Sequence, residues 1–416
     1  MNKSKHNPTV YYFSDCTFFA GCENMIANFL NDHNLSNKYN LRLVYRNTIP
    51  YRSGLSKRLN CNLEKTIPIR LLNQIDYHSS IKLLRVLLKV FYIPHKFFTI
   101  IINIIILFGV FKREKIDILH INNGGYPAAI SCYSAVFAAK ICGIKRIVYV
   151  VNNLGQPYNN IVRHFDKPLD KLITKYVNMF ITSSKAAGKT LVDILDIPDG
   201  NYITINNGIS KREITQNKDD FKSANNIPND KVLFTTIANF ENRKGHRYLL
   251  EAIKSLKMQN DIDVFHKIHF LFEGKGPEKL VIADYIKQIN LEEKVQILDA
   301  VEDIYNLYNV TDVLILPSIG NEDFPNVVLE AMSLGKPVIG TDIAGIPEQI
   351  NNMVTGIVIQ PKNARDIQNA ITIICKDKNL LCQFSNNALN RFKNLYTKNS
   401  ALKNYDNLYQ NLLINI

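Results

Sequence analysis

Twice along its 416 residues the chain alternates short β-branched runs with stretches of helical spacing. That rhythm fits parallel strands, because parallel neighbours need a crossover connection and a helix is the usual one. The first series predicts strands at Val10–Phe13, Leu41–Arg46, Ile116–Ile121, Arg146–Val151, Met179–Thr182 and Tyr202–Ile205. A helix over Ser184–Leu195, capped by Ser183 or Ser184, precedes the last of these, and residues 47–70 read as an irregular basic loop. The second series predicts strands at Val232–Ala238, Ile268–Phe272, Val295–Leu298, Val313–Leu316, Pro337–Gly340 and Gly356–Ile359. The expected fold is α/β: two doubly wound parallel-sheet domains facing a central cleft, over residues 1–208 and 209–390, with a polar hinge in Asn207–Asn226. In residues 391–416, Tyr405, Leu408, Tyr409, Leu412 and Leu413 fall at helical spacing, which predicts a helix packing back on the first domain. Open α/β sheets bind ligands beyond the carboxyl ends of their strands, so the residues just after each strand are the candidates for chemistry.

Charge narrows the partners. Residues 1–210 carry 26 Lys/Arg against 12 Asp/Glu, whereas residues 211–416 carry 24 against 25. A basic half joined to a neutral half suits a domain that faces an anionic surface or ligand. The basic residues are scattered and no recognition motif accompanies them, so nucleic acid is not expected. Seven cysteines without a CxxC pair support neither a disulfide framework nor a structural zinc site. The apolar stretch before Ser14 and Asp15 is too short for a signal-peptide core, and a cytoplasmic location is expected.

Residues 79–111 point to a membrane as the anionic surface. Lys82, Arg85 and Lys89 share one helical face, with Leu83, Leu84, Val86, Leu87, Leu88 and Val90 around the rest. Such a basic amphipathic helix suits the interface of an anionic bilayer, and Pro94 is expected to end or kink it. Phe97–Phe111 follows, apolar apart from Thr99, Asn103 and Gly109. It is shorter than the roughly 20 residues a span needs, and cations at both ends set no one-way orientation. Phe97–Phe111 therefore reads either as a helix buried on a parallel sheet or as a monotopic insertion, not as a span.

The densest chemistry lies in Leu314–Glu348. A buried strand leads into a loop carrying Glu322, and the chain turns through Asp323, Phe324, Pro325 and Asn326 into a helix carrying Glu330. Pro325 is tolerated in a first helical turn, and the amides of Asn326, Val327 and Val328 together with the positive helix end suit a diphosphate. A carboxylate at 322 can accept from sugar hydroxyls, and one at 330 can reach a ribose. Lys244, on the loop after the Val232–Ala238 strand, is a phosphate clamp by charge and position.

These residues resemble the signature of the family 4 (group 1) retaining glycosyltransferases, which have the GT-B fold. Glu322, Phe324, Pro325, Asn326, Glu330, Ala331, Met332, Gly335, Pro337, Val338 and Ile339 match it, with Asp323 where the family has Gly. Lys244-Gly245 matches the family's donor-phosphate loop, where the usual Arg is Asn239 and Arg243 is a candidate substitute. Gly274-Lys275-Gly276-Pro277 resembles the Gly-x-Gly-Pro turn that approaches the nucleotide. On the acceptor side, Gly21 lies in a loop resembling Gly-Gly-x-Glu. The family's two strand-end His positions correspond to Asn122 and Asn152, while His120 reads either as an active-site group or as a satisfied strand histidine.

The resemblance implies a retaining hexosyltransferase using a UDP- or GDP-sugar as substrate, with no metal and no cofactor. Glu322, Lys244, Asn122 and His120 are its catalytic candidates. Arg243, Lys244, Gly274, Phe324, Pro325, Asn326, Val327 and Glu330 are its donor-binding candidates, and Gly21 and Asn152 lie on the acceptor side. A lipid-linked or other glycan acceptor, surface polysaccharide biosynthesis, and peripheral attachment to the inner face of the cell membrane complete the expectation. A GT-B nucleotide-sugar epimerase and a non-catalytic membrane-bound relative are the alternatives. The Asp261-Ile262-Asp263 triplet is expected in a solvated loop rather than on a metal.

Overall fold

The computed structural model describes residues 7–19, 21–60, 65–74, 82–258, 262–298, 301–320 and 322–414, with the helical backbone alone over 82–90. It divides into two compact units, Met1–Ile205 with Ala401–Ile416, and Asn206–Ser400.

In the first unit the chain runs β1 (Thr9–Ser14), α1 (Glu23–Leu30), α2 (His33–Lys38), β2 (Asn40–Arg46), α3 (Ile49–Ser56), β3 (Thr66–Ile69) and α4 (Lys82–Phe111). It continues through β4 (Ile118–Asn123), α5 (Ser131–Ile141), β5 (Ile147–Val151), α6 (Ile161–His164), α7 (Lys167–Tyr176), β6 (Met179–Thr182), α8 (Lys185–Leu195) and β7 (Tyr202–Thr204). The seven strands form one parallel sheet in the order β3-β2-β1-β4-β5-β6-β7. Alternate residues of each strand serve opposite faces, and both faces are covered. Tyr11, Phe13, Leu119, Ile121 and Tyr149 pack with Ile100 and Leu107 of α4, Val136 of α5, Ile173 of α7 and Leu191 of α8. Val10, Tyr12, Ile118, Val148 and Ile181 pack with Met25 and Phe29 of α1 and with Tyr405 and Tyr409 near the C-terminus. Burial on both faces is why these strands read as continuous apolar runs rather than alternating ones.

The second unit runs α9 (Lys218–Ala224), β8 (Val232–Ile237), α10 (His246–Met258), α11 (Ile262–Lys267), β9 (Ile268–Glu273), α12 (Lys279–Gln288), β10 (Val295–Ile297), α13 (Ile304–Val310) and β11 (Val313–Leu316). It closes with α14 (Asn326–Ser333), β12 (Val338–Thr341), α15 (Ile346–Gln349), β13 (Gly356–Ile359), α16 (Ala364–Lys376) and α17 (Lys378–Leu395), before the C-terminal helix α18 (Lys398–Ile414). Its six parallel strands take the order β10-β9-β8-β11-β12-β13. Strand order reverses beside β1 and β4 in the first sheet and beside β8 and β11 in the second, which are the crevices where such sheets bind ligands.

Three expectations change. Residues 47–70 are not one loop. Thr48 caps α3 by accepting from the Tyr51 amide, Tyr51 and Leu55 anchor that helix in the core, and β3 pairs with β2. The hinge segment holds α9, started by Asn217 accepting from the Asp219 amide. Pro94 does not end the helix, since α4 continues through it to Phe111. Pro94 is exposed, and the residues after it are held against α5, so the missing N–H hydrogen bond does not break the element.

Among the described residues, Phe91–Phe111 of α4 is long and apolar enough to cross a membrane, with a mean hydropathy of 1.9. Its inner face is polar at Lys96, Thr99 and Asn103, all buried. Lys96 pairs with Asp166, and Asn103 accepts from the Leu72 amide at 2.9 Å. Its outer face is bare: Phe91, Phe98, Ile101 and Ile105 are all more than half exposed. The side chains of Lys82, Arg85 and Lys89, and residues 79–81, lie outside the described residues.

Candidate functional site

The loops after β8 and β11 meet at the crevice of the second sheet. A 3-10 turn, Asn242–Lys244, follows β8, and the Ile319 amide donates to the Arg243 carbonyl at 2.7 Å, tying the two loops together. Gly245 ends the turn in the left-handed region at φ 72°, and a Cβ there would lie 1.9 Å from the Pro317 carbonyl oxygen. Only glycine allows that approach, which places the neighbouring Lys244 over the β11 loop.

Lys244 forms an ion pair with Glu322, and Arg243 donates to the same Oε2 atom at 3.3 Å. Ser318 donates to that oxygen as well, at 3.3 Å. The Arg243 Nε also donates to Glu241 at 2.6 Å, which holds the Glu241 carboxyl below its ordinary range. Two cations thus converge on one carboxylate at a strand-end crevice. Arg243 brings a guanidinium to this carboxylate, while the Asn239 Nδ2 donates to Glu241 at 3.2 Å.

The same loop enters α14 with Pro325 as its first cap residue. The Val328 amide turns back to the Pro325 carbonyl at 3.2 Å. Asn326 and Val327 therefore carry the helix-start amides outside the helical ladder, where the dipole favours an anion. The Asn326 Oδ1 is buried with no hydrogen-bond partner among the described residues. Glu330, one turn into α14, accepts from the Tyr308 hydroxyl at 2.9 Å. Burial first, and then the Glu330 charge, push the Tyr308 hydroxyl well above its ordinary value, so it stays a proton donor. Gly274 follows β9 at φ 154°, and a Cβ there would come within 2.0 Å of the Ala238 carbonyl oxygen. The β9 loop can therefore lie directly against the β8 loop.

Phe324 departs from its expected role. Its ring is buried and meets Tyr396 edge-on at 5.7 Å, so it anchors the loop in the core rather than facing a ligand. His246, beside Lys244, is buried against Phe240, and burial followed by the Lys244 charge lowers its pKa to about 4.

In the first unit, Asn122 is the last residue but one of β4 and Asn152 follows β5. The Asn152 Nδ2 donates to the Asn122 Oδ1 at 2.8 Å and to the Asn123 carbonyl at 2.9 Å. The Asn122 Nδ2 is buried without a partner among the described residues. Gly21 lies in the turn before α1 and is exposed. His120 belongs elsewhere. It is buried among Tyr12, Phe29, Tyr405 and Tyr409, its Nδ1 lies 2.7 Å from the Tyr409 hydroxyl, and burial lowers its pKa to about 3. A neutral imidazole enclosed by rings is a core residue, and the catalytic reading of His120 is corrected accordingly.

Ser318, Tyr308 and Glu241 join the site without having been singled out in the sequence. Ser318 was within reach of the strand-end rule, standing two residues after β11. Tyr308 carried no signal, because it sits on the helix before that strand. Of the Asp-x-Asp triplet, Asp261 lies outside the described residues and Asp263 is in the first turn of α11 rather than in a loop.

Residues 217–391 match the family model described as glycosyl transferases group 1. The chain is 29% identical over 302 residues to the O-antigen biosynthesis glycosyltransferase WclY of Escherichia coli, covering 72% of this chain and 80% of that one. It is 26% identical over 332 residues to the N,N'-diacetylbacillosaminyl-diphospho-undecaprenol alpha-1,3-N-acetylgalactosaminyltransferase of Campylobacter jejuni, covering 77% and 83%. The crystal structure of Anabaena HepE in complex with UDP superimposes with a TM-score of 0.74 at 14% identity, covering 97% of this chain and all of that one. With the paired Glu322 and Glu330 in place, residues 217–391 belong to the group 1 glycosyltransferases, in a chain of the GT-B fold.

Proposed function

We propose that this chain transfers a sugar, with retention of configuration, from a uridine or guanosine diphosphate donor to a lipid-linked glycan acceptor in surface polysaccharide biosynthesis. The observation that carries the reading is the meeting of Lys244 and Arg243 on Glu322 at the crevice of the second sheet. Both cations exchange the carboxylate for the leaving diphosphate, and the start of α14 at Asn326 and Val327 adds its dipole. Preorganised donors contribute most where charge develops, and here that is the departing phosphate oxygen. Glu322 then holds the donor sugar by its hydroxyls, and Glu330, set by Tyr308, binds the ribose. The reading assigns the diphosphate charge to these side chains and amides, without a metal. Asn122 and Asn152, joined at the strand ends of the first sheet, form the acceptor-side pair.

The names of the Escherichia coli and Campylobacter jejuni relatives, with their O-antigen and diphospho-undecaprenol, support a lipid-linked acceptor. So does α4, which we read as lying on the cytoplasmic face of the membrane rather than crossing it. Crossing would bring buried Lys96 and Asn103 into lipid and strand Asp166, each at a cost of several kcal/mol.

Calorimetric titration with UDP, GDP and ADP, on the chain and on Glu330→Ala, tests the donor assignment. One diphosphate should bind, and Glu330→Ala should weaken it. No binding by any of the three would overturn the reading. Nuclear magnetic resonance of the product's anomeric proton tests retention, and an inverted product would refute that part.

A further inference from the structure

The bare face of α4 is continued by a second element. On α6, α7 and the link between them, Ile161 is 72% exposed, Phe165 48% and Leu172 39%. Lys167, Lys171 and Lys175 repeat every fourth residue along α7, and all three are exposed. The acidic residues of this segment, Asp166 and Asp170, point inward and are buried. The exposed side chains here are therefore apolar or basic, and the described outer face of α4 adds Phe98, Ile101 and Ile105.

A buried ionic cluster joins the two. Lys96 of α4 pairs with Asp166 at the start of α7, and Arg163 of α6 bonds Asp166 at 3.2 Å and Asp170 at 2.6 Å. Asp170 also accepts from the hydroxyls of Tyr126, Tyr133 and Tyr158 at 2.7, 2.7 and 2.6 Å. Phe97 and Phe165, next in sequence to the paired Lys96 and Asp166, thus flank the seam between the elements.

The register of α4 on α5 orients this face. Ser134 Oγ donates to the Ile100 carbonyl and Cys142 Sγ to the Phe108 carbonyl, each pair 34 residues apart, so the helices run parallel. Ser131, the first residue of α5, is then level with Phe97. The 15 residues from Lys82 to Lys96 continue past α5 for roughly 22 Å. Because α5 starts where β4 ends, that overhang lies on the carboxyl side of the sheet, where Asn122 and Asn152 stand.

We propose that α4, α6 and α7 form one composite docking face whose partner is an anionic phospholipid bilayer. The proposal rests on the membrane reading above and deepens it. Phe98, Ile101, Ile105, Ile161 and Phe165 enter the headgroup boundary, and Lys167, Lys171 and Lys175 meet the headgroups. A single helix can roll about its axis on a bilayer, whereas two elements locked by a buried cluster cannot. The face therefore fixes how the first sheet is rotated on the bilayer, and the overhang of α4 lays the lipid surface alongside the carboxyl edge of that sheet. A second copy of the chain is the poorer partner, since a two-fold contact would oppose like-charged lysines.

The test is sedimentation of the full chain with vesicles of phosphatidylcholine alone and with equal parts phosphatidylglycerol. Combined Lys167→Gln, Lys171→Gln and Lys175→Gln should weaken binding to the anionic vesicles roughly a hundredfold, at about fivefold per charge. Phe165→Ser with Ile161→Ser should weaken it independently, and so should Phe98→Ser with Ile101→Ser and Ile105→Ser. Nucleotide titration and circular dichroism confirm that each variant folds. If the α4 variant loses binding while both α6–α7 variants match the unaltered chain, the composite face is wrong and the membrane reading stands. If the unaltered chain ignores anionic vesicles, both are wrong. If it self-associates and the α6–α7 variants abolish that instead, the bilayer is the wrong partner.

Discussion

Lys244→Ala tests the donor loop most directly. Lys244 is 9% exposed, so water screens its charge little, and its ammonium already sits against Glu322. A hydrogen bond to a charged group contributes about 1.5–3 kcal/mol, so losing one phosphate contact should weaken UDP or GDP about 10- to 150-fold. The variant does not orphan Glu322, which keeps Arg243 and Ser318, each at 3.3 Å, so the loop should hold its shape. Glu322→Gln acts in the opposite sense. It removes the anion that competes with phosphate for both cations, so diphosphate affinity should hold or rise while sugar transfer falls. Placed in the Glu322→Gln background, Lys244→Ala should cost more than it does alone, because Lys244 no longer has to leave a carboxylate. Titration calorimetry at one fixed salt concentration measures all four corners of the cycle. A Lys244→Ala variant that binds the diphosphate within about threefold of the unaltered chain would refute the clamp.

Three further outcomes can be measured on the same protein. Ser184 caps α8 by accepting from the Ala187 amide at 2.9 Å, so Ser184→Ala should cost about 1 kcal/mol, read as a lower urea midpoint. Asp170→Ala leaves buried Arg163 with Asp166 as its one carboxylate and takes the acceptor from three tyrosine hydroxyls, so it should cost about 3–5 kcal/mol, enough to show as loss of the folded first unit in limited proteolysis. His120 and His246 have folded pKa values of about 3 and about 4, below the ordinary 6.5. The unfolded chain then binds more protons between those values, so stability falls as pH drops below about 6.5, by up to about 1.4 kcal/mol per unit for each histidine. Urea midpoints across that range should show the fall, and His120→Phe should flatten it.

Most of the sheets was legible in the sequence because a strand buried on both faces must be apolar along its whole length, and Val313–Leu316 or Met179–Thr182 can be little else. β3 was hidden because Thr66–Ile69 is an edge strand broken by Pro68, and its pairing with β2 is made by the fold rather than by its composition. The donor loop was legible for the same local reason that makes it work: Pro325, Asn326 and the carboxylates at 322 and 330 are spaced along one loop and one helix. Its partners were not. Tyr308 reaches Glu330 from a different helix, and Arg243 reaches Glu322 from the β8 loop, set beside the β11 loop by the pairing of β8 with β11.

The sequence alone determined most of the buried strands, and which loop carries the signature carboxylates, because those follow from periodicity and from neighbours a few residues apart. Only the tertiary structure decided that His120 is a core residue. Its enclosing rings come from β1, α1 and a helix almost three hundred residues away. Only the tertiary structure likewise made Arg243 the second cation on Glu322, and turned one face of α4 inward through Lys96 while leaving Phe91, Phe98, Ile101 and Ile105 bare. Contacts of that kind depend on strand order and helix register, which a local pattern does not encode.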